Sequence, residues 1–423
     1  MARQPAFFDV FSFERLPTPP ADCRLIGGEA DPALDYLVGP AFFDPQVNGY
    51  AGVDFQDPDV TLDALEHAAE QLARAGCPHF LLTIITGPDD FLRDHFARLA
   101  GFLERSERLR RHIPGFHLEG PFLNDNPGYR GAHRPELMTD PQWDRFAAWQ
   151  AASGDRIRML TIAPERAGAV DFIRRAVAAG VFLCAGHSAA TRRDLLAAVQ
   201  AGLRLYTHLG NGAPLEIPRH ANVIQDVLSV PGLAASLIAD GIHLPPYVLA
   251  NFARALGSAR LVLTTDAMAA AGAPTGRYAL AGIALEVGDD RVVRNPNAPG
   301  FAGSALSPLE GFYNGIQFAG LGAAAAWHAW TWLRRELFPD LDPPRIALPF
   351  PADKGEAQGT GDQVAFGVLG EALLLRGLCG RCELRQVLHL SCILQPLPLF
   401  DLFRRAQQQE VGVHFRILAR ATR

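Results

Sequence analysis

Between about residue 40 and about residue 335 the sequence alternates a short apolar run with a segment of helical periodicity, eight times over. In order, the runs contain AFFDPQVN, HFLLTII, GFHLEG, MLTIAPE, VFLCAGH, RLYTHL, ASLIADGIH and RLVLTTDAM. Near-continuous apolar runs of this length suit parallel strands buried on both faces. Intervening segments such as TLDALEHAAEQLARAG and ATRRDLLAAVQAG are rich in good helix formers, and the first has a capping residue at Thr61 and a stop at Gly76. Eight such units favour a closed (β/α)8 barrel over an open doubly wound sheet. No glycine-rich dinucleotide fingerprint follows the first run, which argues against a Rossmann-type fold.

Four of the runs end in a residue suited to metal or proton chemistry: Glu119, His187, His208 and Asp266. In a barrel of this kind catalytic groups sit where strands end and loops begin. Taken alone, each has an ordinary reading. Glu119 could be a salt-bridged strand end, Asp266 a helix cap, and an isolated histidine is more often a hydrogen-bonded core residue than a ligand. Together they make three zinc ligands, Glu119, His187 and His208, with Asp266 as a general base.

The chain has 423 residues, 48% of them hydrophobic and 20% charged, enough apolar material for one large domain and a smaller one. A net charge of −6 without long charged runs offers no electrostatic footprint for nucleic acid or an anionic membrane, so a small-molecule substrate is expected. The N-terminal MARQPAFFDVFSFERLPTPP lacks a charged leader followed by a sustained apolar stretch, and no segment is apolar for long enough to span a membrane. A cytoplasmic location is the expectation. The six cysteines, at positions 23, 77, 184, 379, 382 and 392, are too sparse for a disulfide framework and read as reduced thiols.

After the eighth run, RYALAGIALEVGDDRVVRN alternates at period two around Gly288-Asp289-Asp290 and reads as a hairpin inserted before the last helix, GAAAAWHAWTWLRRELF. Residues 1–38 form an N-terminal segment suited to sandwich strands, residues 39–337 the barrel, and residues 338–423 a divergent tail in which no strand is read. That tail carries Pro343, Pro344, Pro349 and Pro351 and the cluster Cys379, Cys382, His389 and Cys392. A single C-x-x-C with irregular followers is a weak signal for structural zinc.

The motifs PAFFDPQVNG, FHLEGPFLN, GAH, LTIAPE, AGHSAAT, THLGNGAP, ADGIHLPP, LTTDAM and FAGSAL stand in an order that resembles the N-acetylglucosamine-6-phosphate deacetylases of the amidohydrolase superfamily, over roughly residues 37–310. The resemblance implies a homodimer and a barrel beside a small β-sandwich built from both chain ends. It implies that Glu119, His187 and His208 hold one divalent metal, usually zinc, and that Asp266 is the base and acid. Substrate and phosphate contacts fall to Arg219, His243 and the Asn211-Gly212 turn, with Ala132 and His133 lining the sugar pocket. The implied reaction releases acetate and a free amine from an amino sugar phosphate.

Many amidohydrolases carry His-x-His after the first strand as ligands of a second metal, but here the positions are Gln46 and Asn48. Amides bind zinc weakly, so a single-metal site is expected, with both side chains free to hydrogen-bond ligand or substrate. Gly212 stands where an alanine is usual, which raises the prospect of a changed sugar. Two alternatives stand beside the deacetylase: a cyclic-amide hydrolase of the same superfamily, and a non-catalytic barrel whose abrupt change of pattern after residue 338 is what a shifted reading frame produces.

Overall fold

The computed structural model describes residues 4–351 apart from Ala33 and residues 297–299. Four short strands come first: β1 (Phe7–Asp9), β2 (Arg15–Leu16), β3 (Arg24–Leu25) and β4 (Leu34–Pro40). The barrel opens with β5 (Phe43–Val47), passes a small hairpin of β6 (Gly49–Tyr50) and β7 (Val53–Asp54), and continues through β8 (His79–Ile85) and β9 (Gly115–Glu119). It is completed by β10 (Ile157–Ile162), β11 (Phe182–Ala185), β12 (Leu205–Tyr206), β13 (Ala234–Ile238) and β14 (Leu261–Thr264). These eight strands pair in sequence order, each parallel to the next. A bridge from Val47 to Ala267 closes the circle. Each apolar run of the sequence holds one strand.

Why the ring closes there is visible in one side chain. Asp44 on β5 is buried and accepts hydrogen bonds from Thr264 Oγ1 and Thr265 Oγ1, both at 2.6 Å, and from the backbone amides of Thr265 and Gln46. Burial nonetheless raises its pKa to about 6, the four donors only partly offsetting the desolvation.

The interior changes character along the strands. Phe43, Leu81, Met159, Cys184, Leu205, Ala234 and Val262, from seven strands, pack with Leu333 and Leu337 of the last helix into an apolar plug. Side chains on one face recur every second residue. The step of two from Leu81, Met159, Leu205, Ala234 and Val262 reaches Thr83, Thr161, Thr207, Ser236 and Thr264, all buried and polar. A further step from Val262 and Thr264 reaches Asp266, and on β9 the same spacing sets His117 below Glu119.

The helices follow their local signals. Helix Leu62–Arg74 is capped by Thr61, whose side chain accepts from the Ala64 amide, and the chain turns out of it at Gly76 with φ of +83°. Helix Arg192–Ala201 opens with a capping box of Thr191 and Asp194.

Two expectations need correction. The insertion after the eighth strand is a three-stranded antiparallel sheet, β15 (Gly276–Leu280), β16 (Ile283–Val287) and β17 (Val293–Arg294), not a hairpin. Its first reversal is at Ala281-Gly282, both at positive φ, and the Gly288–Asp290 turn leads only into the short third strand. The segment after residue 338, read as strandless, contains β18 (Arg345–Pro351). It lies between β4 and β3 in a five-stranded sheet ordered β2-β1-β4-β18-β3, so both ends of the described chain build the small sheet. Its prolines concealed it. The Ile26 amide donates to Ala347 O, so alternate residues from Ala347 onward turn their backbone groups toward the β3 side. There β3 pairs only with Ile346 and Ala347, and Pro349 therefore forfeits no ladder bond; its carbonyl accepts from Tyr313 Oη. The cluster Cys379, Cys382, His389 and Cys392 lies outside the described residues.

Candidate active site

Glu119 is the last residue of β9, and His187, His208 and Asp266 each follow a strand by two residues. These three have φ of +48°, +31° and +50°. The left-handed region is costly for a side chain with a Cβ, and such strain gathers where surrounding structure fixes a functional geometry. Here it turns each side chain off the end of its strand.

The four groups converge from separate strands. His208 Nε2 lies 2.9 Å and His187 Nε2 3.4 Å from Glu119 Oε1, while His133 Nε2 lies 3.8 Å from Oε2. Glu119, His133, His187 and His208 are buried, and Asp266 is half-buried. Burial alone would raise the Glu119 pKa, but hydrogen bonds and charge from His187 and His208 hold it well below the usual carboxylate range. His208 shifts the other way. Burial opposes its charge, and Glu119 outweighs burial to raise the pKa. His133 is pushed down to about 3 by burial, with the charge of His187 adding to the effect.

The donor set fits a divalent cation. His187 Nδ1 is 2.7 Å from Tyr129 O, and His133 Nδ1 is 2.9 Å from Thr86 Oγ1, so in each ring the other nitrogen faces the carboxylate. Ligand atoms of Glu119, His133 and His187 all lie within 4.8 Å of one another, and His208 reaches the same Glu119 oxygen as His187. His208 Nδ1 and Asn48 Oδ1 are buried atoms with no protein partner among the described residues.

Gln46 and Asn48 are part of this centre. Gln46 Nε2 donates to Glu119 Oε1 at 3.0 Å and its carbonyl accepts from Thr207 Oγ1, while Asn48 Nδ2 donates to Asp266 Oδ1 at 2.7 Å. Desolvation of the half-buried Asp266 carboxylate raises its pKa to about 6; the charge of His208 opposes the shift and that of Glu119 adds to it.

The remaining sequence candidates divide. Asn211 turns its backbone amide and Nδ2 onto His208 O, at 2.9 and 3.2 Å. At Gly212, with φ of +60°, an added Cβ would stand 2.7 Å from His187 Nδ1, and at Gly131 it would stand 2.9 Å from His187 Cε1. The His187 ring is thus seated between two glycines. Packing against His187 requires a residue without a Cβ at Gly212. His243 Nδ1 is 2.6 Å from Asp240 Oδ2 and its ring centroid is 4.8 Å from that of Phe301. Ala132 is half-buried against the inserted sheet. Arg219 is exposed on the loop after His208, and no hydrogen bond or ion pair among the described residues ties it to the cluster. Sequence reasoning missed Tyr129, Thr86 and Asp240. Only Asp240 had a legible signal, its place three residues before His243 in DGIH.

No protein-family model matches the chain. Over 294 residues it is 34% identical to an N-acetylgalactosamine-6-phosphate deacetylase of Escherichia coli, covering 69% of this chain and 75% of the relative. It is 30% identical to an N-acetylglucosamine-6-phosphate deacetylase of Vibrio furnissii, covering 68% and 70%. Among solved structures, N-acetyl-D-glucosamine-6-phosphate deacetylase from Mycobacterium smegmatis superposes with a TM-score of 0.70 at 28% identity, covering 81% of this chain and 94% of that one. An eight-stranded barrel with this carboxylate and imidazole centre at its strand ends, and relatives of these kinds, define a metal-dependent amidohydrolase. More particularly, the chain belongs to the N-acetylglucosamine-6-phosphate deacetylase family.

Proposed function

We propose that the protein removes the acetyl group from N-acetylglucosamine-6-phosphate, or a closely related N-acetylated amino sugar phosphate, releasing acetate and the free amine. The observation that carries this reading is the meeting of His187 and His208 on one oxygen of Glu119, with Asp266 held in the same buried centre by Asn48. Glu119, His187 and His208 hold one divalent metal per chain, zinc by the chemistry of a carboxylate and two imidazoles. His208 is preferred to His133 as third ligand because it approaches the oxygen His187 faces, whereas His133 faces the other from farther away. The cation supplies Lewis acidity toward the acetamide carbonyl and toward water.

The chain's own groups supply the rest. With its pKa raised to about 6, Asp266 is mostly ionised at neutral pH yet readily reprotonated. It takes a proton from the attacking water and returns it to the sugar nitrogen as acetate leaves. His133, neutral and donating from one ring nitrogen, steadies the developing negative charge on the carbonyl oxygen. Gln46 fixes the Glu119 carboxylate. Ala132, Asn211 and Gly212 border the sugar, and Arg219 and His243 take the phosphate, Arg219 through a planar fork suited to its oxygens.

The catalytic unit spans residues 39–337, with 1–38 and the segment from 338 contributing the small sheet; the protein is a cytoplasmic homodimer. No helix among the described residues is long and apolar enough to cross a membrane. Acetate release should be measured from N-acetylglucosamine-6-phosphate and its galactosamine epimer, and ring opening from a cyclic amide, before and after chelation. Release from a sugar phosphate that stops with chelator and returns with zinc is expected. Turnover of the cyclic amide alone, or activity indifferent to chelation, would overturn the proposal.

A further inference from the structure

The LTIAPE motif ends in Glu165, three residues beyond β10, and the chemistry above gives it no task. Its carboxylate is fully engaged in the loops around His187. Oε1 accepts from the Ala189 amide at 2.6 Å and from Asn124 Nδ2 at 2.8 Å, and Oε2 accepts from Ser188 Oγ at 2.6 Å. Two of these donors directly follow His187 in sequence. The third belongs to Asn124, whose own amide donates to His187 O at 3.0 Å. One half-buried carboxylate therefore grips the chain on the far side of His187 and the residue that grips His187 itself. His187 needs such restraint because its backbone sits at φ of +48°.

We infer that Glu165 is a positioning residue for the metal site, pinning the left-handed turn that presents His187 Nε2 to Glu119. The inference rests on the metal centre proposed above. Restraint of a ligand from outside the coordination sphere commonly changes metal affinity by about 10- to 100-fold. Glu165→Ala should therefore bind zinc at least about tenfold more weakly in competition with a chromophoric chelator, and should alter the visible spectrum of the cobalt-substituted protein. Glu165→Gln keeps an acceptor for the Ala189 amide and leaves Ser188 Oγ a partner, so it should restore affinity to within about threefold of the parent.

A general loss of stability is separated by Ser153→Ala, which removes a hydroxyl bonded to Gln150 and Arg156 in a helix cap outside this cluster. That variant should lower the Tm and leave zinc affinity unchanged. If Glu165→Ala fails to fold, Ser188→Ala removes one of the three bonds, and its zinc affinity should fall about threefold. Parental zinc affinity in whichever of these two variants folds, or an equal loss in Ser153→Ala, would overturn the inference while leaving the metal centre intact. A parent protein that bound no zinc would overturn both.

Discussion

Asn48 and Asp266 stand 218 residues apart in sequence and meet at 2.7 Å, the amide just after the strand that opens the barrel donating to the carboxylate after the strand that closes it. The contact requires a closed ring, because Asn48 and Gly49 also hang their backbone amides on Ala267 O. It defines what Asn48 contributes in place of a metal-binding histidine. The amide orients the carboxylate proposed as the base and helps keep it ionised against the desolvation that raises its pKa.

Asn48→Ala should consequently lower kcat about tenfold, the worth of one hydrogen bond to a charged group, with KM little changed. Asp266→Asn, which removes the base itself, should cost at least about a hundredfold. Steady-state kinetics on the sugar phosphate reads both. An Asp266→Asn protein with parental turnover would remove Asp266 from the reaction.

Gly212→Ala tests the seat of His187. The new methyl group would stand 2.7 Å from His187 Nδ1 at a backbone φ of +60°, so the imidazole must shift. Zinc affinity should fall about tenfold or more, and the ratio of activities on the glucosamine and galactosamine phosphates should stay constant. A changed ratio with intact zinc binding would return Gly212 to sugar selection.

Stability should fall in acid through His79, at the opposite end of the barrel from the metal centre. Burial, reinforced by His112 and Arg334, lowers its pKa from 6.5 to about 4. The folded state therefore keeps the ring neutral where the unfolded chain binds a proton. The stabilisation is complete above pH 6.5 and is lost as the pH falls from 6.5 toward 4, amounting to about 3 kcal/mol. Urea unfolding at pH 7 and pH 4.5 should show a smaller acid loss in His79→Gln than in the parent. Equal losses would contradict the assignment.

The barrel was legible because its eight strands are buried on both faces and each leaves a continuous apolar run of its own. Glu119, His187, His208 and Asp266 stood out because four titratable groups closing four such runs form a combination that the ordinary reading of each alone does not explain. Strand β18 was not. Its prolines argue against a strand, and they are tolerated only because β3 pairs along so little of its edge. The reversal at Ala281-Gly282 was likewise overshadowed by the stronger turn residues at Gly288–Asp290.

Sequence by itself determined the alternation of strand and helix, the residue types at the strand ends and the absence of histidines at positions 46 and 48. These are local properties, set by side-chain chemistry and period. Tertiary structure alone decided that Asp44 ties the first strand to the eighth, that His187 is wedged between Gly131 and Gly212, and that His133 joins the same carboxylate. Each of those is a contact between loops or strands far apart in the chain, created only when the ring closes and brings eight strand ends around one axis.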